Sequence, residues 1–254
     1  MTDELQYDIR DGIGHIVLNR PQARNALTFG MYERLAAIAA DPGPARALVI
    51  TGAGEKAFAA GTDIGQFRDF RSAEDGIAYE ARIDRVLGTL ERCPVPTIAA
   101  IAGACTGGGA GIAAACDLRI AAASARFGFP IARTLGNCLS MANLARLAAL
   151  IGPGRVAEMI FTARLLSAAE AQSVGLVSEI LPDVAALHAR AADLARTVAG
   201  YAPLTLRATK EALRRLRDAL PEDADLIRLC YGSADFREGM DAFLAKRAPV
   251  WQGR

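Results

Sequence analysis

Two short stretches of small residues could do chemistry through the main chain alone. Gly107, Gly108 and Gly109 lie between an apolar strand-like run and the start of a helical one. Three glycines free φ and let a ligand approach the backbone closely. The helix that follows brings unpaired N–H groups and the positive end of its dipole. Such a turn stabilises an anion or an incipient oxyanion; a tight turn that merely needs small residues has the same sequence. The second stretch is residues 59–63, AAGTD, which also precedes apolar-periodic sequence. Two such turns, each supplying one N–H, could grip one carbonyl oxygen from two sides. The competing reading of the second is a helix N-cap at Thr62 or Asp63.

Other chemistries lack their residues. The two histidines, His15 and His188, are far apart and fall in a strand-like and an Ala-rich helical segment; each reads as a structural or surface residue rather than a catalyst, and two distant histidines cannot make a metal cluster. No H-E-x-x-H, G-x-S-x-G or P-loop pattern occurs. The glycine run fails the dinucleotide register: counted from Gly107, the third glycine of G-x-G-x-x-G falls on Ile112, and counted from Gly109 it falls on Ala114. Cys93, Cys105, Cys116, Cys138 and Cys230 show no CxxC spacing. Their odd number suits reduced, mostly buried thiols better than a disulfide framework or a zinc site.

The elements that must position the turns can be read from periodicity. Residues 13–19 (IGHIVLN) form a strand that Pro21 stops. Residues 28–40 carry helical spacing with Thr28 as N-cap. The run 47–51 (ALVIT) reads as a short apolar strand buried on both faces, and 97–101 (TIAAI) as the next buried strand. Residues 74–92 form a long helix that Pro94 and Pro96 end. A strand at 118–121 follows, and another at 177–180. Ser167 and Glu170 make a capping box, and residues 184 onward read as several helices. Alternating strands and helices predict α/β units with parallel pairing, followed by a helical C-terminal region.

The 254 residues, half of them apolar, can bury a large core. A formal charge of +1 gives no electrostatic case for nucleic acid or an anionic membrane. No apolar run approaches the roughly 20 residues of a membrane span. The polar N-terminus MTDELQYDIR resembles neither a signal nor a transit peptide, so a soluble cytoplasmic protein is expected.

At the two turns the sequence resembles the enoyl-CoA hydratase/isomerase (crotonase) family. The matching stretches are LNRPQARNAL (18–27), KAFAAGTDI (56–64), VPTIAAIAGACTGGGAGIAAACDLRIA (95–121), SARFGFP (124–130), LLSAAEAQSVGLVSEIL (165–181) and FREGMDAFLAKRAP (236–249). They run in the right order over nearly the whole chain. The resemblance implies an α/β fold, a spiral core of stacked ββα units over about residues 1–190. A helical region at about 191–254 would build a homotrimer or a dimer of trimers, the whole forming one crotonase-like domain, 1–254. It implies an acyl-CoA substrate, coenzyme A entering only as part of that substrate, with no separate cofactor and no metal. It implies an oxyanion hole from the backbone N–H groups of Thr62 and Gly108. Arg24, Ala60, Asp63 and Ile64 would frame the CoA pocket together with Arg20 and Asn25, and Phe243 and Lys246 would approach the nucleotide end, in this or a neighbouring subunit. The RNA-binding side role of some family members is disfavoured by the near-neutral charge.

The same resemblance exposes a departure. Hydratases of the family use two glutamates; the corresponding positions here are Gly111 and Ile131. Between Gly109 and Ala149 the sole acidic residue is Asp117, which the family uses structurally, and no neighbouring carboxylate stands in. General acid–base groups contribute roughly 10²–10⁴ each. Ordinary hydration is therefore in doubt, and the polar residues Arg133, Thr134, Asn137, Cys138 and Ser140 are the nearest candidates. Upstream, Asp63, Asp69, Glu74 and Asp75 read best as a solvated face. The expected function is an acyl-CoA-binding protein of this family, nominally an enoyl-CoA hydratase or isomerase working through an enolate. The alternatives are an inactive binder or oligomer partner, or other chemistry on the same scaffold.

Overall fold

The computed structural model describes residues 4–217 and 224–250. Strands β1 (Leu5–Arg10) and β2 (Ile13–Leu18) form an antiparallel hairpin, and α1 (Phe29–Ala40) follows. A strand–strand–helix unit then occurs three times. The first is β3 (Ala47–Gly52), β4 (Ala57–Ala59) and α2 (Ala73–Glu91). The second is β5 (Thr97–Ile101), β6 (Ala104–Thr106) and α3 (Gly108–Ala115), and the third β7 (Leu118–Ala122), β8 (Arg126–Gly128) and α4 (Ile131–Thr134). Next come α5 (Met141–Ile151), α6 (Pro153–Phe161), β9 (Leu166–Ser167), α7 (Ala168–Ser173), β10 (Glu179–Leu181) and α8 (Val184–Ala199). The described C-terminal part holds α9 (Pro203–Arg217), α10 (Ala224–Tyr231) and α11 (Ala234–Leu244).

In each unit the first strand joins a six-stranded sheet, ordered β1-β2-β3-β5-β7-β10, and the second joins a four-stranded sheet, ordered β4-β6-β8-β9. Pairing within both is parallel except β1 with β2 and β8 with β9. The chain thus winds as a spiral with two sheet walls. The apolar character of 47–50 and 98–101 follows from this layering. One face of the six-stranded sheet packs into the main core with α1, α2 and α3. The other face, through Val49, Ile98, Ala100 and Ile120, packs on Leu187, Ala191 and Ala195 of α8.

Local signals hold where the chemistry is local. Thr28 Oγ1 accepts the Met31 N–H at 3.3 Å. The Ser167 hydroxyl accepts the Glu170 N–H at 3.2 Å while the Glu170 carboxylate accepts the Ser167 N–H at 2.8 Å. The differences lie in the short and polar pieces. β1 has alternating Leu5, Tyr7 and Ile9 beneath a charged composition. The three-residue strands β4, β6 and β8 are too short for periodicity to show. α3 begins inside the glycine triple, at Gly108, earlier than the helical IAAAC run suggests. The last strand lies at Glu179–Leu181, two residues later than its β-branched stretch.

Candidate active site

The two glycine-bearing turns leave the same end of the four-stranded sheet. β4 and β6 are parallel neighbours, with Ala59 opposite Cys105, so the segments that follow each strand emerge side by side. Gly61 turns the first at φ +113, and Gly107 turns the second at φ +51; both are conformations that L side chains rarely adopt. A Cβ on Gly107 would lie 3.4 Å from Gly61 Cα, and one on Gly108 would lie 3.1 Å from Thr62 Oγ1. The turns are in contact.

The first turn is braced by the 18–27 segment. Leu27 N donates to Gly61 O and Asp63 N donates to Leu27 O, both at 2.8 Å, and Ala60 N donates to Arg24 O at 3.0 Å. Asn25, fully buried at φ +56, donates from Nδ2 to Ala53 O (3.0 Å) and Ala57 O (2.7 Å) and accepts the Arg20 N–H (3.0 Å). Arg20 is no solvated charge: its guanidinium pairs with Asp63 at 2.8 Å and Glu4 at 3.1 Å. Burial works to raise the Asp63 carboxyl, but Arg20 and the Gly65 N–H outweigh it and hold it below the usual range. Asp63 therefore also caps the Ile64–Phe67 turn, accepting from Gly65 N at 2.9 Å.

The bridge between Leu27 and Thr62 uses the N–H groups of Leu27 and Asp63, not that of Thr62. Gly108 is the first residue of α3, where an N–H has no intrahelical acceptor. Among the described residues neither the Thr62 nor the Gly108 N–H donates to a protein acceptor. The Thr62 hydroxyl sits between the hydroxyls of Tyr32 (2.9 Å) and Tyr79 (2.8 Å), tying the first turn to α1 and α2. Burial pushes both phenols well above their ordinary pKa, so they remain neutral hydrogen-bonding groups.

A cavity of about 160 Å³ opens in front of the turns. Thr62, Gly107 and Gly108 form one wall, and Ile83, Leu87, Phe129 and Leu139 supply apolar lining. Gly111 and Ile131, the positions where glutamates were expected, both line it. So does a carboxylate that the sequence reading passed over. Glu80 of α2 is 3% exposed, and among the described lining residues it is the one charged side chain. Tyr231 OH donates to its Oε1 at 2.5 Å and Ser140 N to its Oε2 at 3.3 Å. No carboxylate near the glycine triple in sequence takes those positions, but tertiary packing brings Glu80, well upstream on α2, to the same cavity. Its local sequence offered little signal, since α2 carries several acidic residues, among them Asp84 four positions on.

The remaining candidates divide. Ala60, Ile64, Thr134 and Asn137 line the cavity, and so does Phe243 from α11 of the same chain. Asp63 lies behind the turn as a brace. Arg24 and Arg133 are exposed, Lys246 is exposed beyond α11, and Cys138 packs against the core; none of the four lines the cavity. Arg133 and Cys138 are accordingly set aside as chemistry-bearing groups. Asp117 is structural: it accepts from Thr97 N (2.8 Å) and Thr97 Oγ1 (2.9 Å) and pairs with Lys210 (2.6 Å). Cys93, Cys105 and Cys116 are buried free thiols, with burial pushing Cys116 up to about 12. The side chain of Cys230, like residues 1–3, 218–223 and 251–254 of the expected domain, lies outside the described residues.

The sequence model of the enoyl-CoA hydratase/isomerase family matches residues 8–254. The chain belongs to that family. It is 38% identical over 251 residues to a probable enoyl-CoA hydratase, echA8, of Mycobacterium tuberculosis, covering 95% of each. Among solved structures, an enoyl-CoA hydratase/carnithine racemase from Magnetospirillum magneticum superposes with TM-score 0.79 at 36% identity, over 100% of this chain and 97% of the other. A methylmalonyl-CoA decarboxylase complexed with 2S-carboxypropyl CoA superposes with TM-score 0.89 at 27% identity, over 100% of both. The fold is therefore the crotonase fold, its spiral being the three units above. Among the described residues no helix is long and apolar enough to cross a membrane.

Proposed function

We propose that this protein binds an acyl-CoA thioester with its carbonyl oxygen between the Thr62 and Gly108 N–H groups and carries out enoyl-CoA hydratase/isomerase-type chemistry through the enolate. The observation that carries the reading is the meeting of two unsatisfied backbone donors at the wall of one apolar cavity. Removing a thioester α-proton, or adding a nucleophile to an α,β-double bond, places negative charge on the carbonyl oxygen. Fixed donors stabilise that charge without reorganising, and losing one costs about 10²–10³ in rate. Tyr32, Tyr79, Asn25 and Arg20 hold the first donor in place, and the fold of α3 onto β4 holds the second. A Cβ on Gly109 would lie 2.3 Å from Ala59 O, so this helix start tolerates no side chain there.

On this reading Phe243 and Lys246 meet the CoA portion, and the apolar cavity takes the acyl chain. Exposed Phe161, Leu204, Leu213 and Leu216 support a homotrimer or dimer of trimers, which light scattering on the purified protein would test. The function is tested by turnover on a panel of enoyl-, hydroxyacyl- and carboxyacyl-CoAs alongside calorimetric binding. Turnover of an enoyl or hydroxyacyl thioester supports the reading, and absence of acyl-CoA binding ends it.

A second reading is decarboxylation of a carboxyacyl-CoA. It is favoured by the TM-score of 0.89 to methylmalonyl-CoA decarboxylase and by Gly111 and Ile131 at the glutamate positions. Loss of carbon dioxide leaves the electron pair in the enolate, so the N–H pair suffices without a base to form it. Turnover confined to the carboxyacyl members of the panel selects it.

A further inference from the structure

We propose that Glu80, presented by α2 and held by Tyr231 of α10, is the proton-transfer group of this site. The assignment rests on the acyl-thioester reading above and names the group that reading leaves open. α2 reaches the site through adjacent residues: Tyr79 bonds the Thr62 hydroxyl beside the first N–H donor, and Glu80 is among the residues that line the same cavity. The carboxylate is positioned by two neutral donors from different elements, the Tyr231 phenol and the Ser140 N–H at the start of α5. Burial and the Glu80 charge itself keep the Tyr231 phenol well above its ordinary pKa, so it stays the donor.

The frame around Glu80 is built for closeness. A Cβ on Gly76, one turn before Glu80, would lie 2.0 Å from Tyr231 Cγ, so only glycine lets α10 dock there. Asn137 donates to Tyr231 OH at 3.3 Å, and its own Oδ1 is buried without a hydrogen-bond donor among the described residues. The polar end of the cavity therefore combines a carboxylate with an orphan acceptor, as a site for a donor brought in by a ligand would. The half-buried carboxylates Glu91, paired with Arg146 and Arg217, and Asp117, paired with Lys210, do not line the cavity.

In the step itself the bond between the α-carbon and its proton breaks and an O–H bond forms on Glu80. The electron pair moves onto the thioester oxygen between Thr62 and Gly108. The proton then returns from Glu80 to the α-carbon, or to the γ-carbon when a β,γ-double bond lets the pair shift there. Nothing is oxidised or reduced and no co-reactant is consumed. With one carboxylate serving as both base and acid, the site favours proton exchange and double-bond migration over addition of water.

The test follows exchange of α-protons for deuterium in short- to long-chain saturated acyl-CoAs by mass spectrometry, with acyl-CoA affinity measured in parallel. The wild type should exchange. Glu80→Gln, nearly isosteric, should keep Kd within about threefold and lose about 10²–10⁴ in exchange rate. Tyr231→Phe, which keeps the carboxylate and removes its donor, should slow exchange about tenfold at unchanged Kd, a split that a merely structural role would not produce. Exchange at the wild-type rate in a folded Glu80→Gln protein overturns the assignment. If that variant does not fold, an unaltered rate in Tyr231→Phe overturns it. A wild type that binds acyl-CoA but exchanges no proton also overturns it while leaving the binding reading intact; a wild type that binds no acyl-CoA refutes both.

Discussion

Replacing Gly108 with alanine places a methyl carbon 1.9 Å from the Tyr32 hydroxyl oxygen, where real Cβ contacts do not fall below 3.0 Å. The two must part by roughly 1 Å, a displacement of the kind that overpacking forces on a filled core. Tyr32 is fully buried on α1 and hydrogen-bonded to Thr62, so it cannot swing out without leaving the core. The displacement falls instead on the start of α3, and hence on the Gly108 N–H. Oxyanion donors act at about 2.7–3.1 Å, and losing one costs about 2.7–4 kcal/mol in the transition state, or 10²–10³ in kcat. The overpacking itself should cost about 1–3 kcal/mol of stability. Adding Tyr32→Phe removes the clashing oxygen and leaves Thr62 Oγ1 at 3.1 Å and Leu27 Cδ1 at 3.2 Å as the nearest contacts, which small shifts accommodate. Tyr32→Phe alone forfeits one hydrogen bond, about 0.5–1.5 kcal/mol, while Thr62 keeps Tyr79. The assay is α-proton exchange or turnover for all three variants, with thermal denaturation alongside. Gly108→Ala should be slow, and the double variant should regain at least tenfold of the loss. A Gly108→Ala enzyme as fast as the wild type, or a double variant no faster than the single one, refutes the reasoning.

Asn25→Ala strips hydrogen bonds from Ala53 O, Ala57 O and the Arg20 N–H and puts alanine at φ +56; about 3 kcal/mol of stability should be lost in urea titration, with weaker acyl-CoA turnover because the Thr62 turn loses its brace. Arg146→Ala breaks a buried bidentate pair with Glu91, both bonds 2.8 Å, and should cost about 3–5 kcal/mol. Burial alone would raise the Glu91 carboxyl, but Arg146 and Arg217 hold it below its ordinary 4.5. Its stabilising contribution is therefore complete above that value and fades as pH falls through the depressed folded value; denaturation curves collected from neutral to acid pH should show less of that decline in Arg146→Ala. Asp117→Asn removes the charge that Lys210 pairs with between α9 and the body of the fold; melting should fall by about 1–3 kcal/mol with the exchange rate per folded molecule unchanged, since Asp117 is not at the cavity.

The two N–H donors were legible in the sequence because a main-chain donor needs only local conditions: small residues, a strand before, a helix or bridge after. Thr62 and Gly108 meet those conditions within a few positions of themselves. The buried strands were legible for a similar reason, since a strand covered on both faces, such as ALVI at 47–50, must be largely apolar along its length. Arg20 and Asp63 were ambiguous, because an arginine in a polar loop has the same sequence whether it faces water or closes onto a carboxylate. Glu80 was out of reach of such reasoning. Along α2 it is one of several acidic residues, with Glu74, Asp75, Asp84 and Glu91, and helical spacing alone does not say which of them faces a cavity. That is decided when α10 packs into the notch at Gly76 and Tyr231, 151 residues away, closes on its carboxylate. Backbone donors are set by the conformation of their own turn, and so the sequence by itself determined where the two donors proposed to hold a carbonyl lie. A side-chain acid is set by what surrounds it, and so only the tertiary structure decided which carboxylate lines the cavity.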